Sequence, residues 1–200
     1  MALLRPLLAA ALAVASSLLP GCIGAGTNSP LRAVDSGFPE VTGIDLEGRE
    51  VRLPSGLAGS PRVVAVAFER RQQADVDTWI RAVGPLLDAH PAARFYELPV
   101  IGSSSAPFRL WLNNGMRAGI PDEAARSRTI TVYTDRDAFM AATGTRRESI
   151  TTMLLDAGGR IAWRVDGPAD PSKVESLSAA LDSLSPPRTP PSGHRQGTGS

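Results

Sequence analysis

Reactive side chains are scarce in this chain of 200 residues. It holds one cysteine, Cys22, and two histidines, His90 and His194. A nucleophile needs a base within hydrogen-bond reach, and a metal needs several donors at ligand spacing. His194 falls in a tail rich in proline and glycine, and His90 stands before Pro91 and reads as a helix-end residue. Neither histidine is accompanied by a Cys, Asp or Glu set with ligand spacing. Ser103, Ser104 and Ser105 offer hydroxyls, but with no folded histidine as base they read as loop and helix cap. Residues 56–59 carry two glycines without the phosphate-loop pattern or its lysine, and Lys173 is the chain's only lysine. The expectation is therefore no catalytic residue, no metal and no cofactor.

What remains is a charged turn, Glu69-Arg70-Arg71-Gln72-Gln73, inside residues 62–87. Ahead of it, Val63 to Phe68 is apolar without alternation, as in a strand covered on both faces. Behind it, Val76, Trp79, Ile80, Val83, Leu86 and Leu87 recur at steps of three and four, one buried helix face. A helix N-terminus already carries partial positive charge, so two arginines there call for a counter-charge from Glu69, Asp75 or an external anion.

The rest of the chain supplies a scaffold around that turn. Residues 41–46 and 49–53 flank Glu47-Gly48 as a hairpin. Residues 94–101 form the next strand. A helix bearing Phe108, Trp111 and Leu112 then starts at Ser105 to Pro107 and closes at Asn113-Asn114-Gly115. Residues 122–126 give one or two helical turns and residues 129–133 a third central strand. Asp135 caps a short helix with Phe139 and Met140, which Gly144 stops. Residues 150–155 and 160–165 flank Asp156-Ala157-Gly158-Gly159 as a second hairpin. A last helix from Pro171 places Val174, Leu177, Leu181 and Leu184 on one side. Trp79, Trp111 and Trp163 all read as core. Residues 185–200 are too polar and proline-rich to bury surface and are expected to be disordered.

The N-terminus has the layout of an export signal: Arg5, then an apolar stretch from Pro6 to Leu19 too short to span a bilayer. Leu18-Leu19-Pro20-Gly21-Cys22 resembles the bacterial lipobox, which implies removal of residues 1–21 and multiple acylation (palmitate among the chains) of Cys22. An ordinary signal peptide with an incidental Cys22 is the alternative. Residues 22–36 are small and turn-rich and read as a tether of roughly 20 Å, ahead of a folded domain over residues 37–184. With Arg5 removed, 20 basic side chains face 20 acidic ones, which gives no electrostatic case for nucleic acid or an anionic membrane surface. The expected place is the extracytoplasmic, periplasmic side of a bacterial cell envelope.

The order of hairpin, β-α-β, crossover helix, strand, hairpin and terminal helix resembles the thioredoxin-like superfamily. That implies an α/β fold with a central mixed sheet flanked by helices and an N-terminal β-hairpin. In such domains the reactive cysteines occupy the turn that here reads ERRQQ, and a cis-proline faces them before the penultimate strand. Arg147-Glu148-Ser149-Ile150 stands in that second place. Within the superfamily the chain is similar to the mitochondrial ATPase assembly factor ten family and its bacterial relatives. The similarity runs through Gln73, Trp79, Tyr96-Glu97, Pro99-Val100-Ile101, Gly115-Met116-Arg117, Ile120-Pro121 and Tyr133-Thr134-Asp135. It continues in Phe139, Leu154-Leu155-Asp156, Gly159 to Trp163 and Gly167. The resemblance implies a non-redox thioredoxin-like protein that helps a membrane subunit assemble into ATP synthase. An export signal departs from the matrix setting of that family, so the fold and the lost redox chemistry carry over better than the assembly role.

These readings converge on a membrane-tethered, redox-inactive module that binds or chaperones a protein partner, such as a membrane-complex subunit. The candidate contact residues are Arg70, Arg71, Gln72 and Gln73, with Arg117 and Asp135 expected nearby; Arg117 reads equally well as a member of a structural ion pair. The rival readings are a peroxiredoxin-like or other reductase using an external thiol, and an extracytoplasmic small-molecule binder.

Overall fold

A computed structural model describes residues 37–184. The expected leader, Cys22, the tether, the tail and His194 lie outside the described residues.

The first hairpin joins β1 (Val41–Asp45) to β2 (Glu50–Leu53). Its turn is organised by the buried Asp45 carboxylate, which accepts from the N–H groups of Glu47 (3.0 Å) and Arg49 (2.8 Å), while Gly48 supplies a φ of 84°. Then come β3 (Arg62–Ala67), α1 (Gln73–Ala89) and β4 (Arg94–Ile101), followed by α2 (Ala106–Gly119), α3 (Glu123–Arg128) and β5 (Ile130–Tyr133). The chain ends in α4 (Arg136–Thr143), the hairpin β6 (Thr151–Leu155) and β7 (Ile161–Asp166), and α5 (Pro171–Leu184). The seven strands form one sheet in the order β2-β1-β5-β4-β3-β6-β7. β3, β4 and β5 are parallel and every other pairing is antiparallel, so the sheet is mixed, as the element order led us to expect.

Strand alternation divides the core into two layers. Val63 and Ala65 of β3 meet Val76, Trp79 and Val83 of α1 and Leu177 and Leu181 of α5. Trp79 and Trp163 pack edge to face there, centroids 6.1 Å apart, and Trp79 Nε1 donates to the Gly167 carbonyl (3.0 Å). On the other face Val64 and Val66 pack with Tyr96, Leu98, Val132, Met153 and, from α4, Phe139. Burying each such side chain contributes about 1.5–3 kcal/mol.

Three expectations change in the helices. Ile80 is exposed, so the buried stripe of α1 is Val76, Trp79 and Val83. The second helix does not close at Asn113-Asn114-Gly115 but runs on to Gly119. Asn113 points inward instead, and its Oδ1 accepts from the Tyr133 hydroxyl (2.8 Å). Trp111 is not core: it is 69 % exposed, and α2 buries no side chain at all. His90 does end α1, with Nδ1 on the Leu86 carbonyl (2.9 Å) and Nε2 on Asp182 of α5 (3.0 Å).

One acid sits inside the fold. Glu97 of β4 is buried beneath the start of α1 and hydrogen-bonded to Gln73. Burial pushes its carboxyl above 4.5, and the Asp77 charge adds to this, against the Gln73 hydrogen bond. A raised folded-state value gives full stability below 4.5, lost as pH climbs through the folded pKa. Glu97→Gln, neutral throughout, should melt close to the wild type in acid and above it at neutral pH. Melting curves across pH check this; a gain in acid that disappears at neutral pH would contradict it.

Candidate functional site

The turn after β3 contains one residue that faces inward. Glu69 is extended, Arg70–Gln72 make a 3-10 turn, and α1 starts directly from it at Gln73. Gln72 is 3 % exposed. Its Oε1 accepts from the backbone N–H groups of Phe68 (2.8 Å) and Glu69 (3.1 Å), and its Nε2 donates to the Arg147 carbonyl (2.7 Å). The amide thus ties the end of β3 to the segment entering β6, the two places where catalytic cysteines and their facing proline were looked for. Gln72 was expected on a contact surface; burial and a full set of internal partners place it in the structural frame instead.

Outside that amide lies a charged rim. Glu69 pairs with Arg71 (2.5 Å) and Arg147 (3.2 Å). The Arg71 hydrogen bond in particular holds the Glu69 carboxyl below its ordinary value, and Glu69 in turn raises the Arg71 guanidinium. Arg70 is exposed, and its guanidinium has no hydrogen bond or ion pair among the described residues. Gln73 is exposed too, donating to Asp77 Oδ1 (3.1 Å) besides its bond with Glu97. The counter-charge for this helix start therefore comes from Glu69, which serves Arg71 and leaves Arg70 outward.

The two remaining candidates do not join this rim. Asp135 follows β5 at the same end of the sheet but lies two strand spacings away, about 10 Å, with β4 between. Its carboxylate caps α4, accepting from the N–H groups of Asp137 (2.9 Å) and Ala138 (3.1 Å). Arg117 is at the opposite end. It pairs with Glu47 (3.2 Å) in the β1–β2 turn, beside Asp45, which opposes Ile130 at the start of β5. Glu47 also takes a close hydrogen bond from Arg126, which chiefly holds its carboxyl low. About 20 Å, the length of a six-residue strand, separates the two ends. The topology carries the signal that places Arg117: a helix returning between parallel strands ends where those strands begin.

No cluster of His, Cys, Asp and Glu able to hold a metal is found among the described residues. The cis peptides among them, Leu53–Pro54 and Ser60–Pro61, lie away from the entry to β6. A shallow groove of about 700 Å³ between α1 and α5 is bordered by Thr78, Arg81, Leu86, Asp170 and Val174 and by no residue of the ERRQQ turn.

Solved structures resemble this architecture at low sequence identity. A protein of Aquifex aeolicus VF5 assigned to electron transfer superposes with a TM-score of 0.52 at 12 % identity, over 82 % of this chain and 99 % of its own. BsSco, a member of the Sco family of cytochrome c oxidase assembly proteins, gives 0.51 at 12 %, over 78 % and 99 %. The fold is thioredoxin-like. No protein-family model matches the chain, and no curated protein matches it in sequence. In this thioredoxin-like fold the turn between β3 and α1 carries Arg70, Arg71 and the buried Gln72.

Replacing Gln72 by leucine strands two backbone donors and one carbonyl at this junction. Each unsatisfied buried group costs about 1–3 kcal/mol. Partial relaxation leaves an expected loss of about 2–4 kcal/mol, a fall in melting temperature of roughly 5–15 °C. Thermal unfolding of Gln72→Leu measures it; an unchanged midpoint would show that the tie is not needed.

Proposed function

We propose that the protein is a redox-inactive, thioredoxin-like module held at a membrane outside the cytoplasm, and that it binds or chaperones a protein partner. The observation that carries this reading is the Gln72 amide closing the place of the thiols, with the chain's only cysteine outside the domain at position 22. Thiol exchange needs a thiolate attacking a disulfide, and no residue of this turn supplies one. Arg70 then remains as an outward cation with no side-chain partner among the described residues, suited to a carboxylate on another protein. Arg71, shared with Glu69, stands beside it.

Support for location comes from the Arg5, apolar stretch and Cys22 arrangement. No helix among the described residues is long and apolar enough to cross a membrane. BsSco belongs to a family of cytochrome c oxidase assembly proteins. An assembly role on a membrane-complex subunit is the corresponding reading here.

Two measurements test it. The Cys22→Ser protein should show no insulin reduction or peroxide consumption above blank, and activity in it would overturn the redox-inactive reading. Arg70→Ser combined with Arg71→Ser should lower affinity for the partner crosslinked in intact envelopes about tenfold, about 1.4 kcal/mol. Its melting temperature should shift by no more than a few degrees, because Arg70 has no side-chain partner among the described residues and the exposed Arg71–Glu69 pair is screened by solvent. Undiminished capture would remove the turn from the contact surface.

A further inference from the structure

α2 turns its apolar side outward. Its inward positions are Arg109, Leu112, Asn113 and Met116, all only partly covered, whereas Phe108 (44 %), Leu110 (64 %) and Trp111 (69 %) are exposed. At 100° per residue, Pro107, Phe108, Leu110, Trp111, Gly115 and Ala118 share one broad face with Asn114 as its only polar side chain. Phe108 and Trp111 pack on each other, centroids 5.8 Å apart, and form an aromatic ridge. The helix is held from behind by polar contacts. The Tyr133 hydroxyl reaches Asn113 Oδ1 (2.8 Å) and the Arg109 carbonyl (3.3 Å), Arg109 lies over the Tyr133 ring (5.5 Å), and Arg117 is paired with Glu47.

We infer that this face is a membrane-contact surface, and that Phe108, Leu110 and Trp111 seat in the interface of the bilayer to which the chain is attached. The inference rests on the membrane-tethered reading. Two observations favour lipid over a protein or a second copy. Residues 98–121 contain no Asp or Glu, so no acid of α2 repels an anionic headgroup layer. Trp and Phe at the tip of an amphipathic helix suit the headgroup boundary. The chain outside the described residues also has the right length. Fourteen residues, 23–36, link Cys22 to Gly37, a reach of at most about 50 Å. Gly37 bridges to Arg160 beside the end of β6, at the same end of the sheet as the Arg117–Glu47 pair. α2 is about 21 Å long, so its whole length lies within that reach of the anchored surface.

Trp111 reports its own position, since Trp79 and Trp163 are buried. The full chain is reconstituted into vesicles of phosphatidylcholine and phosphatidylglycerol, and its tryptophan emission is read with aqueous acrylamide or with brominated acyl chains. Brominated lipid should quench a component that Trp111→Phe removes, and acrylamide should not reach it. Leu110→Asp should cut that lipid quenching about fivefold or more while the protein still floats with the vesicles and melts as before. Flotation with Trp111 open to acrylamide and untouched by bromine overturns the inference and leaves the anchor standing. A chain that does not float removes both. Protection of Trp111 without vesicles would overturn it in favour of a second copy if the mass doubles, or of another segment of the same chain if it does not.

Discussion

The buried amide of Gln72 is the contact on which the candidate site depends. One side chain satisfies the N–H groups of Phe68 and Glu69 and reaches across to the Arg147 carbonyl. Buried backbone groups without partners are costly, so the sharp exit from β3 into α1 needs such an acceptor. Because the same amide also donates to the approach to β6, it fixes two segments in one geometry. The Glu69 ion pairs with Arg71 and Arg147 span the same junction at the surface, where solvent weakens them. The amide sets the geometry and the ion pairs decorate it. Arg70 emerges as the one cation of the turn that the junction does not use.

The sheet and its main helices were legible because their signals are periodic. Unalternated Val63 to Val66 requires cover on both faces, and α1 and α5 supply it on one of them. The short helix α4 was bounded in advance by Asp135, which caps it, and Gly144, whose φ of 66° stops it. The turn itself was legible only as polar. Five polar residues in a row do not announce which one faces inward, and the choice of Gln72 depends on a carbonyl 75 positions along the chain. Arg117 was misplaced for a related reason. Its motif, Gly115-Met116-Arg117, names a residue but not an end of the sheet, and its partner Glu47 belongs to the first hairpin.

Trp111 shows a different limit. An apolar stripe at helical spacing says that one side of a helix avoids water, but not what lies against that side. In α1 the stripe meets the sheet and Trp79 is fully buried, whereas in α2 the sheet side carries Arg109, Asn113 and Met116. The Tyr133 hydroxyl and ring fix that side through polar contacts. Once Asn113 and Arg109 are committed to Tyr133, the helical repeat leaves Phe108 and Trp111 no direction but outward.

The two unusual regions of the domain belong to successive connections, one from β3 to β4 and the other from β4 to β5. At the C-terminal end of β3, the turn is braced from within by Gln72, and its outer surface is charged. On α2, a surface that a crossover helix ordinarily buries is left open and apolar. Exposed apolar ridges on otherwise polar domains mark surfaces that meet something else. A charged rim near Arg70 and an apolar ridge at Trp111 call for different neighbours, one with carboxylates and one without water. A domain resting on a bilayer by α2 would still present the β3–α1 turn to a protein in or beside that membrane. The lipid contact would then orient the Arg70 surface, restricting the directions from which a partner could approach it.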